Sequence, residues 1–311
     1  MFYYKTFIII LAMSVTSSCV PATILKRNVA ALVSTPRAIP DRIKRPARTD
    51  VRLAALWVGH ATVLIQLDDK LILTDPVLTQ TVGAGFSRRL VEPGIAPEDM
   101  PEIDVAVVSH MHLDHLSLGT LELLEGRIRQ LLLPTDGLRY VPDHEFPIDE
   151  VARWQTVERG GVRITAVPVK HPGWRYGADR AWMTRSATAW VFEYNGMTVY
   201  FGGDTAYEQR AFTEVAARFP RIDLAILPIG PVEPDSFARA THVDGREALQ
   251  AFVDLGAAHM LPMHYDTFAH GIDPAGYAVA RLRAAMEERG VGDDRVHIIP
   301  IGAQYTADPA R

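Results

Sequence analysis

The sequence predicts an α/β fold of αββα type: two β-sheets packed face to face between outer helices, built as two pseudo-symmetric halves. Three observations carry this. Two hairpin-like stretches each lead to an aspartate, each is followed by a near-identical apolar run bounded by turn residues, and a helical pattern follows each run. Continuous apolar runs of this kind suit strands covered on both faces, and helices supply the outer cover. The composition agrees. With 311 residues, 48% hydrophobic and 22% charged, a disordered, collagenous or coiled-coil chain is excluded, and the length suffices for a substantial core. A net charge of −5 argues against a nucleic-acid footprint. The single cysteine excludes a disulfide framework and any structural zinc site that needs two or more cysteines.

At the amino end, Lys5 precedes the apolar run Phe7 to Met13, and small residues then lead to Cys19. A bilayer crossing needs about 20 apolar residues, so residues 1–19 read as a signal peptide rather than a span. The placing of Cys19 resembles a bacterial lipoprotein signal, which implies an exported cell-envelope protein held to a membrane surface through a lipidated Cys19; simple secretion is the alternative. Residues 20–50 carry Pro21, Pro36, Pro40 and Pro46 among basic residues and read as a tether. Residues 1–52 hold nine basic and two acidic side chains, leaving a body of net charge −12. The basic arm suits either anionic lipid headgroups or plain solvation.

Residues 51–311 form the predicted domain. Ala61 to Leu67, Asp68-Asp69, and Lys70 to Asp75 read as the first hairpin. Ile103 to Val108 is the first buried strand, and Leu116 to Gln130 is helical in pattern. The second half repeats the order. Ala189 to Tyr194, Asn195-Gly196 and Met197 to Phe201 form a hairpin leading to Asp204, with Asn-Gly supplying the positive φ that a tight turn demands. Ile222 to Leu227 is the second buried strand, Asp244 caps a helix over Gly245 to Leu255, and Pro274 to Arg289 is a late helix ended by Gly290.

The chemistry gathers at Ser109-His110-Met111-His112-Leu113-Asp114-His115. Four ligand-capable side chains in six residues are poor core material unless a metal partners them. Imidazole with carboxylate suits zinc, and also iron or manganese. The spacing lets His110 and His112 face one point as the strand ends, and Asp114 with His115 a second point.

His110 to His115 matches the H-x-H-x-D-H motif, and the chain resembles the metallo-β-lactamase-fold hydrolases. His171, Asp204 in Phe201-Gly202-Gly203-Asp204-Thr205, and His264 in Leu261-Pro262-Met263-His264-Tyr265 follow in that family's order. The resemblance implies two metal ions, most simply zinc: His110, His112 and His171 on one, Asp114, His115 and His264 on the other, Asp204 between them. The body lacks cysteine, unlike one large group of true β-lactamases, and this favours the phosphodiesterase–lactonase side. Trp57-Val58-Gly59-His60-Ala61-Thr62, Leu73-Thr74-Asp75-Pro76, Phe201 to Tyr207, Phe219 to Gly230 and His242-Val243-Asp244 look like the N-acyl-phosphatidylethanolamine-hydrolysing phospholipase D family. Ascorbate-6-phosphate lactonases share these motifs more loosely.

The function so implied is a phospholipase D-type phosphodiesterase acting on N-acyl-phosphatidylethanolamine-like lipids through a metal-bridging hydroxide. Asp114 and His242 are its catalytic candidates, His242 as a phosphate hydrogen-bond donor or the acid that protonates the leaving alcohol. Asp75 reads as support for a ligand histidine, while His60 is either support or turn chemistry. Trp174, Trp182 and Trp190 lie among Arg175, Arg180 and Arg185 just after His171. Trp174 and Arg175 therefore suit an amphiphilic phosphate ester, and Trp190 suits the core. Residues 83–89 read as a mobile second wall. His144, His259, His270 and His297 lack a pattern and default to ordinary positions. A lactonase or other ester hydrolase, and a non-catalytic metal-binding envelope protein, are the alternatives; the sequence carries no oligomer signal.

Overall fold

The computed structural model describes residues 19–307 except 84, 86 and 184. The signal-peptide reading therefore falls, up to Ser18, outside the described residues. Among those described, no helix is long and apolar enough to cross a membrane.

The two halves follow one strand plan. The first opens with α1 (Cys19–Val33), then β1 (Leu53–Gly59), β2 (Thr62–Leu67), β3 (Lys70–Thr74) and a small hairpin of β4 (Thr81–Val82) and β5 (Ser87–Arg88). It continues through β6 (Val105–Val107), α2 (Leu118–Leu123), β7 (Leu131–Pro134) and β8 (Ile148–Val151). The second runs β9 (Thr156–Arg159), β10 (Val162–Val167), β11 (Ala189–Tyr194), β12 (Met197–Phe201), α3 (Gln209–Arg218), β13 (Leu224–Pro228), α4 (Asp235–Ala238), α5 (Gly245–Leu255), β14 (His259–Met263) and α6 (Tyr277–Arg289). The last strand, β15 (Gln304–Ala307), returns to the first sheet beside β1.

One sheet has the order β15-β1-β2-β3-β6-β7-β8, and the other β14-β13-β12-β11-β10-β9. In each half two antiparallel pairings precede two parallel ones: β1-β2-β3 then β6-β7, and β10-β11-β12 then β13-β14. The two hairpins are therefore equivalent elements, as the repeated pattern predicts. Trp57, Ile65 and Val105 of the first sheet meet Ile164, Trp190, Phe201 and Ile226 of the second to form the inner core. The outer face of the second sheet is covered by apolar residues of α3, α5 and α6, and that of the first by α2 and its flanking loops. Each fully buried large side chain is worth about 1.5–3 kcal/mol, so both sandwich faces must be filled.

Several readings need correction. Residues 20–50 are not a free tether. Residues 19–33 form α1, held by the Asn28 side chain on the Ala269 carbonyl and by Arg88 on the Leu32 carbonyl. Residues 34–50 then run as a strap: Arg37 N donates to Leu90 O, Arg48 exchanges hydrogen bonds with the Gln66 side chain, and Gln304 reaches the Pro46 carbonyl. The helix read over 116–130 shrinks to α2 and a separate turn at Glu125–Arg127. Ser117 caps α2 through Thr120 N, and Leu124 leaves helical geometry just before Gly126. The late helix begins only at Tyr277, because Gly276 before it is left-handed (φ 77°). In the stretch read as a mobile wall, Ala84 and Phe86 lie outside the described residues. Arg89 is fully buried there, with its guanidinium on the carbonyls of Val77 and Thr79. Burial pushes its pKa down to about 9.

α5 lies where its cap predicts. Asp244 accepts from Arg246 N and Glu247 N at 2.9 Å each, Glu247 reaches back to Asp244 N, and Arg281 donates to the free oxygen of Asp244 at 3.0 Å. Losing such a cap costs about 1–2 kcal/mol. Asp244→Ala should therefore lower the unfolding free energy to that extent, read as a lower urea midpoint with an unchanged m-value. Asp244→Asn, which still caps, should lose less.

Candidate metal centre

β1, β3, β6, β10, β12 and β14 all point the same way in their sheets, and the site lies beyond their carboxyl ends. His60 follows β1, Asp75 β3, His110 to His115 β6, His171 β10, Asp204 β12 and His264 β14. Three of these residues take left-handed backbone: His60 (φ 55°), Asp75 (φ 34°) and His264 (φ 67°). Such conformations cost about 1–3 kcal/mol each and persist only where the surroundings enforce them. Here His264 N donates to His60 O, and Trp57 Nε1 donates to the same carbonyl at 2.9 Å. The approach of β12 requires glycine. A Cβ on Gly203 (φ +54°) would lie 2.5 Å from Ser109 Cβ, so a side chain there would drive Asp204 from the histidines.

The hydrogen bonds behind the histidines set which nitrogen faces inward. His115 Nδ1 donates to Asp75 at 2.6 Å, His171 Nδ1 to Thr241 O at 2.7 Å, and His264 Nδ1 to Gly230 O at 2.8 Å. Ser109 Oγ donates to Asp75 and accepts from His110 Nδ1 at 3.0 Å. All four rings thus turn Nε2 toward the centre, bare on His110 and His171. His112 does the reverse: its buried Nε2 has no partner, and its Nδ1 lies 2.8 Å from His110 Nε2 and 3.3 Å from His171 Nε2. Burial holds His110 and His171 well below the usual histidine range, and lowers His112 to about 4. The bare Nε2 atoms of His110 and His171 thus converge on His112 Nδ1, and a neutral His112 can give one N–H to only one of them, whereas a cation between the three rings would satisfy all.

The second donor set forms beside it. His115 Nε2 is 3.3 Å from His264 Nε2 and 3.6 Å from Asp114. Asp204 reaches both sets: one oxygen is 3.1 Å from His264 Nε2, and the other is 3.2 Å from His115 Nε2 and 3.9 Å from His110 and His171. Burial opposes a charge on His115, but Asp204, Asp114 and Asp75 outweigh it and hold its pKa well above the ordinary value. A metal would take that proton's place. Donor separations of 3.3 Å match the edge of a tetrahedral site with bonds of about 2.0–2.1 Å to nitrogen. The residues fit a pair of metal ions, and the seven ligands implied by the resemblance all come together.

The supporting residues divide. Asp75 is fully buried and serves His115 and Ser109. His60 holds Asp114 through Nε2 at 2.9 Å, with its ring 3.8 Å from that of His264. His242 lies at the rim before α5, its Nε2 3.1 Å from Asp204 and its Nδ1 on Thr241 Oγ1. Trp174 packs edge-to-face with His112 at 4.6 Å, and Arg180 lies over the Trp174 ring. Trp190 is core, as expected. Arg175 is not free for substrate: it is buried, and Nη1 donates to Met111 O and Leu116 O. It buckles the loop that carries His112 to His115.

One residue escaped the sequence reading. His270, taken as ordinary, places Nδ1 3.2 Å from Asp114 and stacks on Phe268. His60 and His270 thus hold the same Asp114 oxygen from two sides.

Fold and donor sets define the class. The chain matches the family described as a Beta-lactamase superfamily domain over residues 70–265, and it belongs to that superfamily, with the metallo-β-lactamase fold of metal-dependent hydrolases. An uncharacterized protein of Mycobacterium tuberculosis is 32% identical over 256 residues, which cover 77% of this chain and 66% of that protein. The N-acyl-phosphatidylethanolamine-hydrolyzing phospholipase D 1 of Caenorhabditis elegans is 29% identical over 237 residues, 70% of this chain and 65% of that protein. The chain thus spans just under two thirds of the length of these relatives. In structure, a metallo hydrolase of the archaeon Ignicoccus hospitalis superposes with a TM-score of 0.58 at 20% identity, covering 82% of this chain and 98% of that one.

Partners of ligand histidines commonly tune metal affinity about 10- to 100-fold. Asp75→Asn sets a donor against His115 Nδ1 and favours the wrong tautomer. It should weaken metal binding by about 10- to 100-fold in a chelator competition, with the circular dichroism spectrum retained. Unchanged affinity would show that Asp75 does not orient His115.

Proposed function

We propose that the chain is a phosphodiesterase of phospholipase D type that hydrolyses N-acyl-phosphatidylethanolamine-like lipids. The observation that carries this is the pair of donor sets joined by Asp204, with His242 at the rim beside the joining carboxylate. When bound, two metal ions supply the Lewis acidity that acidifies a water and clamps the attacking and leaving oxygens of an in-line displacement. Zinc fits the donors, and iron or manganese would be accepted by the same shell.

The protein's own groups do the rest. Asp75, Thr241 O and Gly230 O keep the ligand rings fixed, so no reorientation is needed as charge develops. His60 and His270 hold Asp114 in one rotamer. His242 is placed to hydrogen-bond a phosphate oxygen or to hand a proton to the departing alcohol. Trp174, which packs on His112 and carries Arg180 over its ring, suits the apolar and charged parts of a lipid, and Tyr176 and Trp182 add exposed aromatic surface to the same stretch of chain. The lipid substrate is supported by the similarity to the nematode phospholipase, and it agrees with the reading of residues 1–19 as a lipoprotein-type signal.

The test is direct. Metal-loaded protein incubated with N-acyl-phosphatidylethanolamine should release N-acylethanolamine and phosphatidic acid, read by mass spectrometry, and His112→Ala should release neither. Intact lipid alongside turnover of a lactone would overturn the phosphodiesterase in favour of an ester hydrolase. Full metal occupancy with neither activity would favour a metal-binding protein without turnover.

A further inference from the structure

A helix on a protein surface normally turns its apolar residues inward and its polar ones toward water; α1 departs from that. Its inward side carries Arg27 and Asn28 beside Ile24 and Ala31. Arg27 is counter-charged by Asp266 and Asp273, and Asn28 Nδ2 donates to Ala269 O at 3.0 Å. The outward side is apolar. Leu25, Val29 and Val33 are 65%, 51% and 84% exposed, and a four-residue spacing aligns them in one stripe along the helix. Ala22 and Ala30 are exposed beside the stripe, and so is the charged Lys26. Among the described residues nothing covers it.

The surrounding charge narrows what would. From Cys19 to Pro40 the chain holds Lys26, Arg27 and Arg37 and no acidic residue, in contrast to the net −12 of the body. Lys26 and Arg37 are both exposed, and Arg37 follows Val33 by four residues. A second copy of the chain fits this surface poorly. Two stripes set back to back would bring Lys26 toward its own mate with no carboxylate on either helix. Three aliphatic side chains also offer far less than the roughly 800 Å² per partner of a stable interface. An anionic lipid surface meets both conditions, with apolar depth for the stripe and negative charge for the basic residues.

We propose that α1 is an interfacial helix: Leu25, Val29 and Val33 enter the headgroup region of an anionic phospholipid bilayer, with Lys26 and Arg37 at its charged surface. The proposal goes beyond the phosphodiesterase reading and does not depend on it. It agrees with the reading of residues 1–19 as a lipoprotein-type signal, and it adds an orientation that a lipid chain alone would not supply. α1 is fixed to Ala269, the residue before His270, and His270 holds Asp114. A bilayer met by α1 therefore lies at the edge of the sandwich that carries the donor sets.

The lone cysteine makes the test site-specific. Cys19→Ser in the full-length chain leaves no thiol and no point of lipidation. Leu25→Cys, Val29→Cys and Val33→Cys are then labelled singly with an environment-sensitive fluorophore. Leu123→Cys and Val253→Cys, exposed on α2 and α5, are the controls. Vesicles are of phosphatidylcholine mixed with phosphatidylglycerol, or of phosphatidylcholine alone. The three stripe probes should shift to the blue on mixed vesicles and be quenched by nitroxide-labelled lipid, with the controls unmoved. In sedimentation, Lys26→Gln should bind mixed vesicles about fivefold more weakly, and Leu25→Ser with Val29→Ser about tenfold or more. Stripe probes that stay unmoved overturn the proposal whether or not the protein sediments, because any contact then lies elsewhere. Serine variants that bind as the parent does overturn it too. So do probes already shifted without vesicles: a shift that grows with protein concentration gives the stripe to a second copy, and a constant one gives it to the chain's own residues.

Discussion

Imidazole nitrogens that face one another out of water must share either protons or a cation, and the carboxyl edge of this sandwich is organised by that requirement. His110 and His171 have their outward nitrogens occupied, so their Nε2 lone pairs converge on the one Nδ1 of His112, which can give a proton to only one of them. Around His115 the opposite charge dominates, with Asp75, Asp114 and Asp204 all acting on one ring. The two donor sets are therefore unlike in charge. One is neutral and the other carries carboxylates, and Asp204 shares its negative charge between them. Two cations would neutralise both conditions at once.

The fold makes the arrangement possible through its repetition. Equivalent hairpins end at Asp75 and at Asp204, but the two aspartates have different tasks. Asp75 is withdrawn behind His115, whereas Asp204 reaches the donors themselves, because Gly203 lets its strand end press against Ser109. One structural position thus supplies direct coordination in one half and orientation in the other. The left-handed backbone at His60, Asp75 and His264 serves the same end: each chain turns sharply as it leaves its strand, so the side chains converge instead of continuing along the sheet.

What the sequence made legible was local or periodic. The Asn195-Gly196 turn has both residues at positive φ (47° and 77°), and Asp244 caps α5 through Arg246 N and Glu247 N. Each is specified by neighbours a few residues away. The motif from His110 to His115 was legible because its donors crowd six residues. α1 was not, because its inward face mixes Arg27 and Asn28 with Ile24 and Ala31, and its holding contact lies at Ala269. Arg175 was misjudged for a similar reason: main-chain carbonyls at Met111 and Leu116 leave no mark in composition. His270 gave no local signal at all. Only the turn after β14 brings it to Asp114.

The place of β15 has a consequence for how the chain acquires its structure. β1 is buried along its whole length, yet its outer edge pairs with β15, through Leu53 opposite Ala307 and Leu56 opposite Gln304. During synthesis the first sheet would therefore wait, with an apolar edge open, until the last strand emerged. Open edges of this kind invite pairing with other chains, and contacts so distant in sequence form slowly. The strap over 34–50 contacts the same sheet, with Arg48 on Gln66 of β2 and Pro46 held by Gln304 of β15. It binds fully only when that strand is home, so closure of the first sheet is a late, whole-chain event, even though most of its strands are made first.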